Sequence, residues 1–200
     1  MIKGIVFDYN GVITNADWYW SLLEEKVPDL ASRHKEFSSL SDRVDLGHMT
    51  SDEFKNIVAE RLGMSREELN TFRGAIRTSS SYIRADLIKL IHKLRKNDYS
   101  IGLVSNYSGK SLRPQITEHN LEELFDTMVI SSEVGLVKPQ PEIFMYVLQE
   151  LGDYEPNEII FADDREDHVA AASAIGINAH HFIDVPSFEQ YLREHDVNTL

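Results

Sequence analysis

Three stretches of the chain set acidic or polar side chains directly after a short apolar run, and chemistry is sought there first. Asp8 follows Lys3 to Phe7 and leads at once into Tyr9-Asn10-Gly11-Val12. An aspartate leaving a buried strand into a glycine turn stands where backbone N–H groups are free to meet an anion. Ser105 and Asn106 close the run Ser100 to Val104. A hydroxyl and a backbone N–H at that position suit a phosphoryl oxygen. Asp163 and Asp164 close the run Glu158 to Ala162, and adjacent carboxylates repel each other unless a divalent cation takes up their charge. Lys138 precedes Pro139-Gln140-Pro141, which stiffens its loop just before a helical pattern begins and so fixes the ammonium. Each piece alone also has a plain reading. Asp-x-Asn-Gly and Ser-Asn both make ordinary turns, and a lone loop lysine is usually solvated.

The elements that must position these residues are readable from apolar periodicity. Five runs rich in Ile, Val and Phe have the character of buried parallel strands: residues 3–7, 100–104, 127–130, 158–162 and 178–182. Ile83, Leu87, Leu90, Ile91 and Leu94 share one helical face, as do Ile143, Phe144, Val147, Leu148 and Leu151. An alanine-rich helix is expected over Asp164 to Ile175, and a last one over Phe188 to Glu194. Strand and helix alternating from residue 84 onward predict an α/β fold: a doubly wound, mainly parallel, five-stranded Rossmann-like sheet with helices on both faces. Ligands of such sheets bind beyond the carboxyl ends of the strands, and chemistry is expected there.

The interval 15–83 breaks the alternation and reads as helices only. Thr50-Ser51-Asp52-Glu53 and Ser65-Arg66-Glu67-Glu68 both have capping-box spacing. Trp18, Leu22 and Leu23 suggest an earlier helix, and Leu30, Phe37 and Leu40 another. Thr78 to Ser81 is small and polar, suited to a return linker. An inserted all-helical cap over 15–83, with the core formed by 1–14 and 84–200, is the organisation expected.

Composition narrows the function. The 200 residues are 42% hydrophobic and 26% charged, an ordinary globular balance. The 33 acidic residues against 20 basic ones give a net charge of -13, which repels phosphate backbones and argues against nucleic-acid binding. The absence of cysteine excludes disulfides, thiolate zinc sites and a Cys nucleophile. No apolar run is long enough to span a bilayer, so no membrane partner is expected. Met1 to Phe7 runs straight into the first motif instead of a signal peptide, and a cytoplasmic location is expected.

Taken together and in this order, the four pieces form a specific pattern. The chain resembles the haloacid dehalogenase-like (HAD) superfamily over almost its whole length. Val6-Phe7-Asp8-Tyr9-Asn10-Gly11-Val12 is similar to its first motif and Leu103-Val104-Ser105-Asn106 to its second. Gly135-Leu136-Val137-Lys138-Pro139-Gln140-Pro141 is similar to the third, and Phe161-Ala162-Asp163-Asp164 with Val169-Ala170-Ala171 to the fourth. The helical interval lies where that family carries its small cap. The resemblance implies a phosphatase acting on a small phosphorylated metabolite through a phosphoaspartate, with Asp8 as nucleophile. It implies Mg²⁺ held by the Asp8 carboxylate, the Asn10 backbone carbonyl and Asp164, with Asp163 orienting a metal-bound water or its neighbour. Lys138 and Ser105 would hold phosphoryl oxygens, with Asn106 close by. One divalent cation and one ammonium balance the three carboxylates.

Two positions depart from the family pattern. Phosphatase branches normally carry aspartate two residues after the nucleophile, as acid for the leaving group and base for water; here that residue is Asn10. An amide hydrogen-bonds but does not exchange a proton at useful pH. Positioned acid–base catalysis contributes roughly 10²–10⁴-fold, or about 3–5.5 kcal/mol of barrier. Asn10 therefore fits a specialised slow phosphatase, a module that binds phosphate without turnover, or an engineered trap. The dehalogenase branch usually has tyrosine there and a single carboxylate in the fourth motif, and this chain has neither. The second departure is His168, where many relatives with a double aspartate have asparagine.

Other residues have plainer roles. Trp18, Tyr19 and Trp20 suit the core of the cap, with Trp18 a candidate for substrate contact. Arg43 and Arg77 are expected in solvent, and His180 and His181, lacking a partner at metal spacing, in structural positions.

Overall fold

A strand covered on both faces must be apolar at successive positions; all five runs form strands, fully covered in Gly4–Phe7 and Ile159–Asp163 and only half-buried in the edge strand Asn178–His181. The computed structural model describes residues 1–15, 34–77 and 82–200. Strands β1 (Gly4–Phe7), β2 (Ser100–Ser105), β3 (Thr127–Ile130), β4 (Ile159–Asp163) and β5 (Asn178–His181) form one sheet in the order β3-β2-β1-β4-β5. Every pairing between them is parallel, so the sheet is wholly parallel.

Alternate side chains go to opposite layers. Ile5, Phe7, Ile101, Leu103, Ile160 and Ala162 pack on one side against helices that include Leu87, Leu90, Ile91, Leu94, Phe188 and Leu192. Val6, Val104, Val129 and Phe161 pack on the other side against Ile143, Phe144, Val147 and Leu148. The chain runs outward from β1 through β2 to β3, then returns past β1 to lay down β4 and β5. A reversal of that kind leaves a crevice at the carboxyl ends of β1 and β4. Asp8 follows β1, and Asp163 ends β4.

Between β1 and β2 the described residues are helical. Helices α1 (His34–Asp45), α2 (Ser51–Leu62) and α3 (Arg66–Arg77) gather a small core of their own from Phe37, Val58, Ala59 and Leu69. Both expected capping boxes are present. Thr50 and Glu53 exchange backbone and side-chain bonds at the start of α2, and Ser65 and Glu68 do so at the start of α3. The chain leaves and returns side by side. Thr14 and Ile83 form an antiparallel bridge, the Asn15 N–H donates to the Tyr82 carbonyl, and the Arg84 N–H donates to that of Ile13. The connection from α1 to α2 rests on the carboxyl edge of the sheet. A Cβ on Gly47 would lie 2.8 Å from the Ser132 carbonyl oxygen, and the Ser111 hydroxyl donates to that of Ser51 at 2.9 Å.

The remaining helices are α4 (Ala85–Lys96), α5 (Gly109–Glu118), α6 (Ser131–Val134), α7 (Pro141–Gly152), α8 (Glu166–Ala174) and α9 (Val185–Glu194). The sequence pattern does not announce α5, which contains Pro114 yet buries Leu112, Gln115 and Ile116. Helix α8 starts two residues later than expected, because Asp164 and Arg165 are held in the strand-end loop. Helix α9 starts earlier, at Val185, where the Asp184 carboxylate accepts from the Ser187 N–H and Pro186 occupies the first turn. The expected helix around Trp18 to Leu23, the linker Thr78 to Ser81, and Trp18 itself lie outside the described residues. No described helix is long and apolar enough to cross a membrane.

Candidate active site

The carboxyl edge of the sheet gathers the polar pieces into one buried cluster. After β1 the backbone passes through an irregular turn over Tyr9–Ile13, in which Asn10 is extended (ψ 134°) and Gly11 has φ +77°. Only glycine fits there, because a Cβ on Gly11 would run into the Asp164 carboxylate as well as suffer the left-handed conformation. The Arg84 guanidinium supports the turn from outside, donating to the Gly11 carbonyl at 3.3 Å.

Lys138 is the hub. Its side chain is fully buried, and its Nζ lies 2.8 Å from Asp8 Oδ1 and 2.6 Å from Asp163 Oδ2. Asn106 fixes the lysine's backbone from both sides: its Nδ2 donates to the Lys138 carbonyl and its Oδ1 accepts from the Lys138 N–H, each at 2.8 Å. The Asn106 side chain is therefore committed to positioning Lys138. The next residues are anchored across the edge, where the Tyr107 N–H donates to Ser131 Oγ and the Gly109 N–H to Ser132 Oγ. Ser105 is buried, and its hydroxyl has no hydrogen-bond partner among the described residues. A buried hydroxyl in that state is an unmet donor and acceptor, suited to a ligand oxygen.

Asp163 is the most heavily bonded carboxylate. Besides Lys138, it accepts from the Arg165 N–H at 2.9 Å and lies 3.0 Å from Nδ1 of the buried His168. Burial pushes its acidity down, but Lys138 and His168 outweigh that and hold its pKa at about 2. Asp8 behaves oppositely. Burial raises its pKa to about 7, Lys138 opposes the rise, and Asp163 and Asp164 add to it. Asp164 is also raised, by partial burial and by Asp163. Lys138 loses from burial but gains more from its two carboxylates, so its proton is held more tightly than usual.

Among the described residues, Asp8, Asp163 and Asp164 bring three carboxylate oxygens within 4.8 Å of one another. One ammonium faces three acids, which leaves charge for a divalent cation, and hard oxygen donors of this kind suit magnesium. Asn10 lies at the rim with its carbonyl in the same turn.

Several supporting residues carry no sequence signal of their own: Arg84 on the turn, Ser131 and Ser132 under the second loop, and His181. The His181 Nε2 donates to the Asp164 backbone carbonyl at 2.9 Å, while His180 stacks on Tyr191 at 4.6 Å as a structural ring. Arg43 is exposed, as expected. Asp45, the last residue of α1, is half-buried and lies within electrostatic range of both Lys138 and Arg165. Its pKa is raised to about 7 by burial first and Asp42 second, against the pull of those two cations.

With this geometry in place, residues 5–181 match the sequence profile of the haloacid dehalogenase-like hydrolases. The chain belongs to that family. Its place there makes it an enzyme of the hydrolase class, and the HAD relatives include both phosphatases and dehalogenases. It is 26% identical over 189 residues to a D-ribitol-5-phosphate phosphatase from Bacteroides thetaiotaomicron, covering 88% of this chain and 89% of that one. It is 22% identical over 193 residues to an (S)-2-haloacid dehalogenase from a Pseudomonas species, covering 88% and 82%. A HAD-family enzyme from Bacteroides thetaiotaomicron, solved as a magnesium complex, superposes with a TM-score of 0.70 at 25% identity, covering 90% of this chain and 92% of the other.

Proposed function

We propose that this HAD hydrolase is a magnesium-dependent phosphatase that cleaves a small phosphomonoester through a phosphoaspartate on Asp8. The observation that carries the reading is the bridge of Lys138 between Asp8 and Asp163, with the Asp164 carboxylate and the Ser105 hydroxyl, which has no partner among the described residues, around it. Two adjacent acids in the fourth motif favour a cation site and count against the dehalogenase chemistry of other relatives.

Asp8, Asp164 and the Asn10 carbonyl are the groups that would hold magnesium, which when bound supplies positive charge against phosphoryl oxygens and favours the ionised form of Asp8. The Asp8 carboxylate attacks phosphorus, and Lys138 and Ser105 hold the non-bridging oxygens as negative charge develops. Asp163 keeps Lys138 charged and aimed, with His168 and the Arg165 N–H fixing its own orientation. Water then hydrolyses the acyl phosphate. Helices α1 to α3, as part of a cap over 15–83, close over the leaving group and select it, with Trp18 a candidate contact.

The identity of Asn10 favours a second reading: a phosphate-binding module that has lost turnover. A panel of small phosphate esters incubated with magnesium or with chelator decides between the two. Magnesium-dependent phosphate release from any member supports the enzyme. Binding of phosphate with no release at any pH supports the binding module.

A further inference from the structure

The usual acid–base carboxyl is missing at position 10, yet another carboxyl, Asp45, lies within electrostatic range of the same lysine. Asp45 is the last residue of α1, and α1 packs against α6, the short helix that directly follows β3 at the carboxyl edge of the sheet. Two residues on, Gly47 lies so close to the Ser132 carbonyl that a Cβ would sit 2.8 Å from its oxygen, and Ser51 bonds Ser111, so the turn carrying Asp45 is fixed against the core. The Asp45 carboxyl is half-buried and makes no hydrogen bond or ion pair among the described residues. Its position is poor for structure on two counts. A half-buried carboxylate without a partner is destabilising, and the C-terminus of a helix disfavours negative charge. The charged groups facing it are Asp42 on its own helix, Lys138 from the third motif and Arg165 from the loop after β4. Lys138 is the group bonded to the nucleophile, so Asp45 and Asp8 share one cation's field.

We infer that Asp45 supplies, from the helical segment above the crevice, the acid–base function that Asn10 lacks, for esters whose leaving group is an alcohol. This rests on the phosphatase reading. In the first half-reaction an Asp8 oxygen bonds to phosphorus as the ester P–O bond breaks. The electron pair of that bond stays on the leaving oxygen, which takes the Asp45 proton and departs as the alcohol. In the second, the water oxygen bonds to phosphorus and gives its proton to the Asp45 carboxylate. The P–O bond to Asp8 then breaks, returning its pair to the Asp8 carboxylate and leaving inorganic phosphate. Burial and Asp42 hold the Asp45 carboxyl near neutrality, at about 7, so both protonation states are populated where the enzyme works.

The test compares single-turnover rates on an alkyl ester, glycerol phosphate, and an aryl ester, nitrophenyl phosphate, in magnesium. An aryl leaving group departs without a proton, so the alkyl-to-aryl ratio isolates acid catalysis from binding and folding. Asp45→Asn is expected to lower that ratio about 100-fold or more. Adding Asn10→Asp to that variant is expected to restore the ratio to within about tenfold of the parent, because the carboxyl returns to the place the family normally uses. Equal losses on both esters, or an unchanged ratio, overturn the role of Asp45 while leaving the phosphatase reading intact. Absence of phosphate release by the unaltered chain from either ester overturns both.

Discussion

Replacing Asp8 by asparagine should stabilise the metal-free protein while abolishing its chemistry. Asp8 is 6% exposed, and burial with two neighbouring acids holds its pKa at about 7 against an ordinary value of 3.8. Each pKa unit corresponds to about 1.4 kcal/mol, so ionising this carboxyl in the folded chain costs about 4 kcal/mol more than in the unfolded one. The sign follows from proton binding. Between pH 4 and pH 7 the folded state keeps a proton that the unfolded state has lost, so stability falls as pH rises through that window. Asparagine carries no charge and escapes the penalty, whereas the depressed Asp163 contributes equally to both proteins. At pH 8 in chelator the variant should melt roughly 8–16 °C above the parent, taking about 2–4 °C per kcal/mol for a chain of this size. At pH 4 the gap should close, and magnesium at pH 8 should narrow it by favouring the ionised parent. Thermal melts at the two pH values, with and without the cation, read all of this. A variant no more stable than its parent at pH 8, or equally stabilised at both pH values, refutes the electrostatic reasoning.

Two further substitutions probe the cation site. Asp164→Ala should weaken magnesium binding by at least about tenfold through loss of one carboxylate from the cluster, and unchanged affinity by titration calorimetry would remove Asp164 from the site. Gly11→Ala should lower stability by about 1–2 kcal/mol through its left-handed backbone and weaken magnesium binding, since the new methyl displaces the Asp164 carboxylate; a variant with native melting and native affinity contradicts that packing.

The inner strands were legible because they are covered on both faces, which leaves continuous runs such as Ile5-Val6-Phe7 and Ile159-Ile160-Phe161. Helices α2 and α3 were legible through their capping boxes, a local signal that needs no tertiary context. Helix α5 was hidden because Pro114 argues against a helix interior, and its apolar face amounts to Leu112 and Ile116 beside the buried amide of Gln115. The four motifs pointed to Asp8, Ser105, Lys138 and Asp163 because each stands at the end of a strand or in a stiffened loop. The sequence did not disclose that Asn106 holds the Lys138 backbone, that His168 touches Asp163, or that Asp45 faces Lys138. Those relations depend on how elements far apart in the chain pack together, and no local pattern encodes them.

Passage of the phosphoryl group through Asp8 can be observed directly on the chain. The protein is mixed with magnesium and nitrophenyl phosphate, quenched in acid within the first turnover, and analysed by intact mass and peptide mapping. A chain carrying one phosphoryl group is expected, located on Asp8 and absent from Asp8→Asn. Turnover with no phosphorylated chain at any quench time, or a phosphoryl group mapped to another residue, would contradict it.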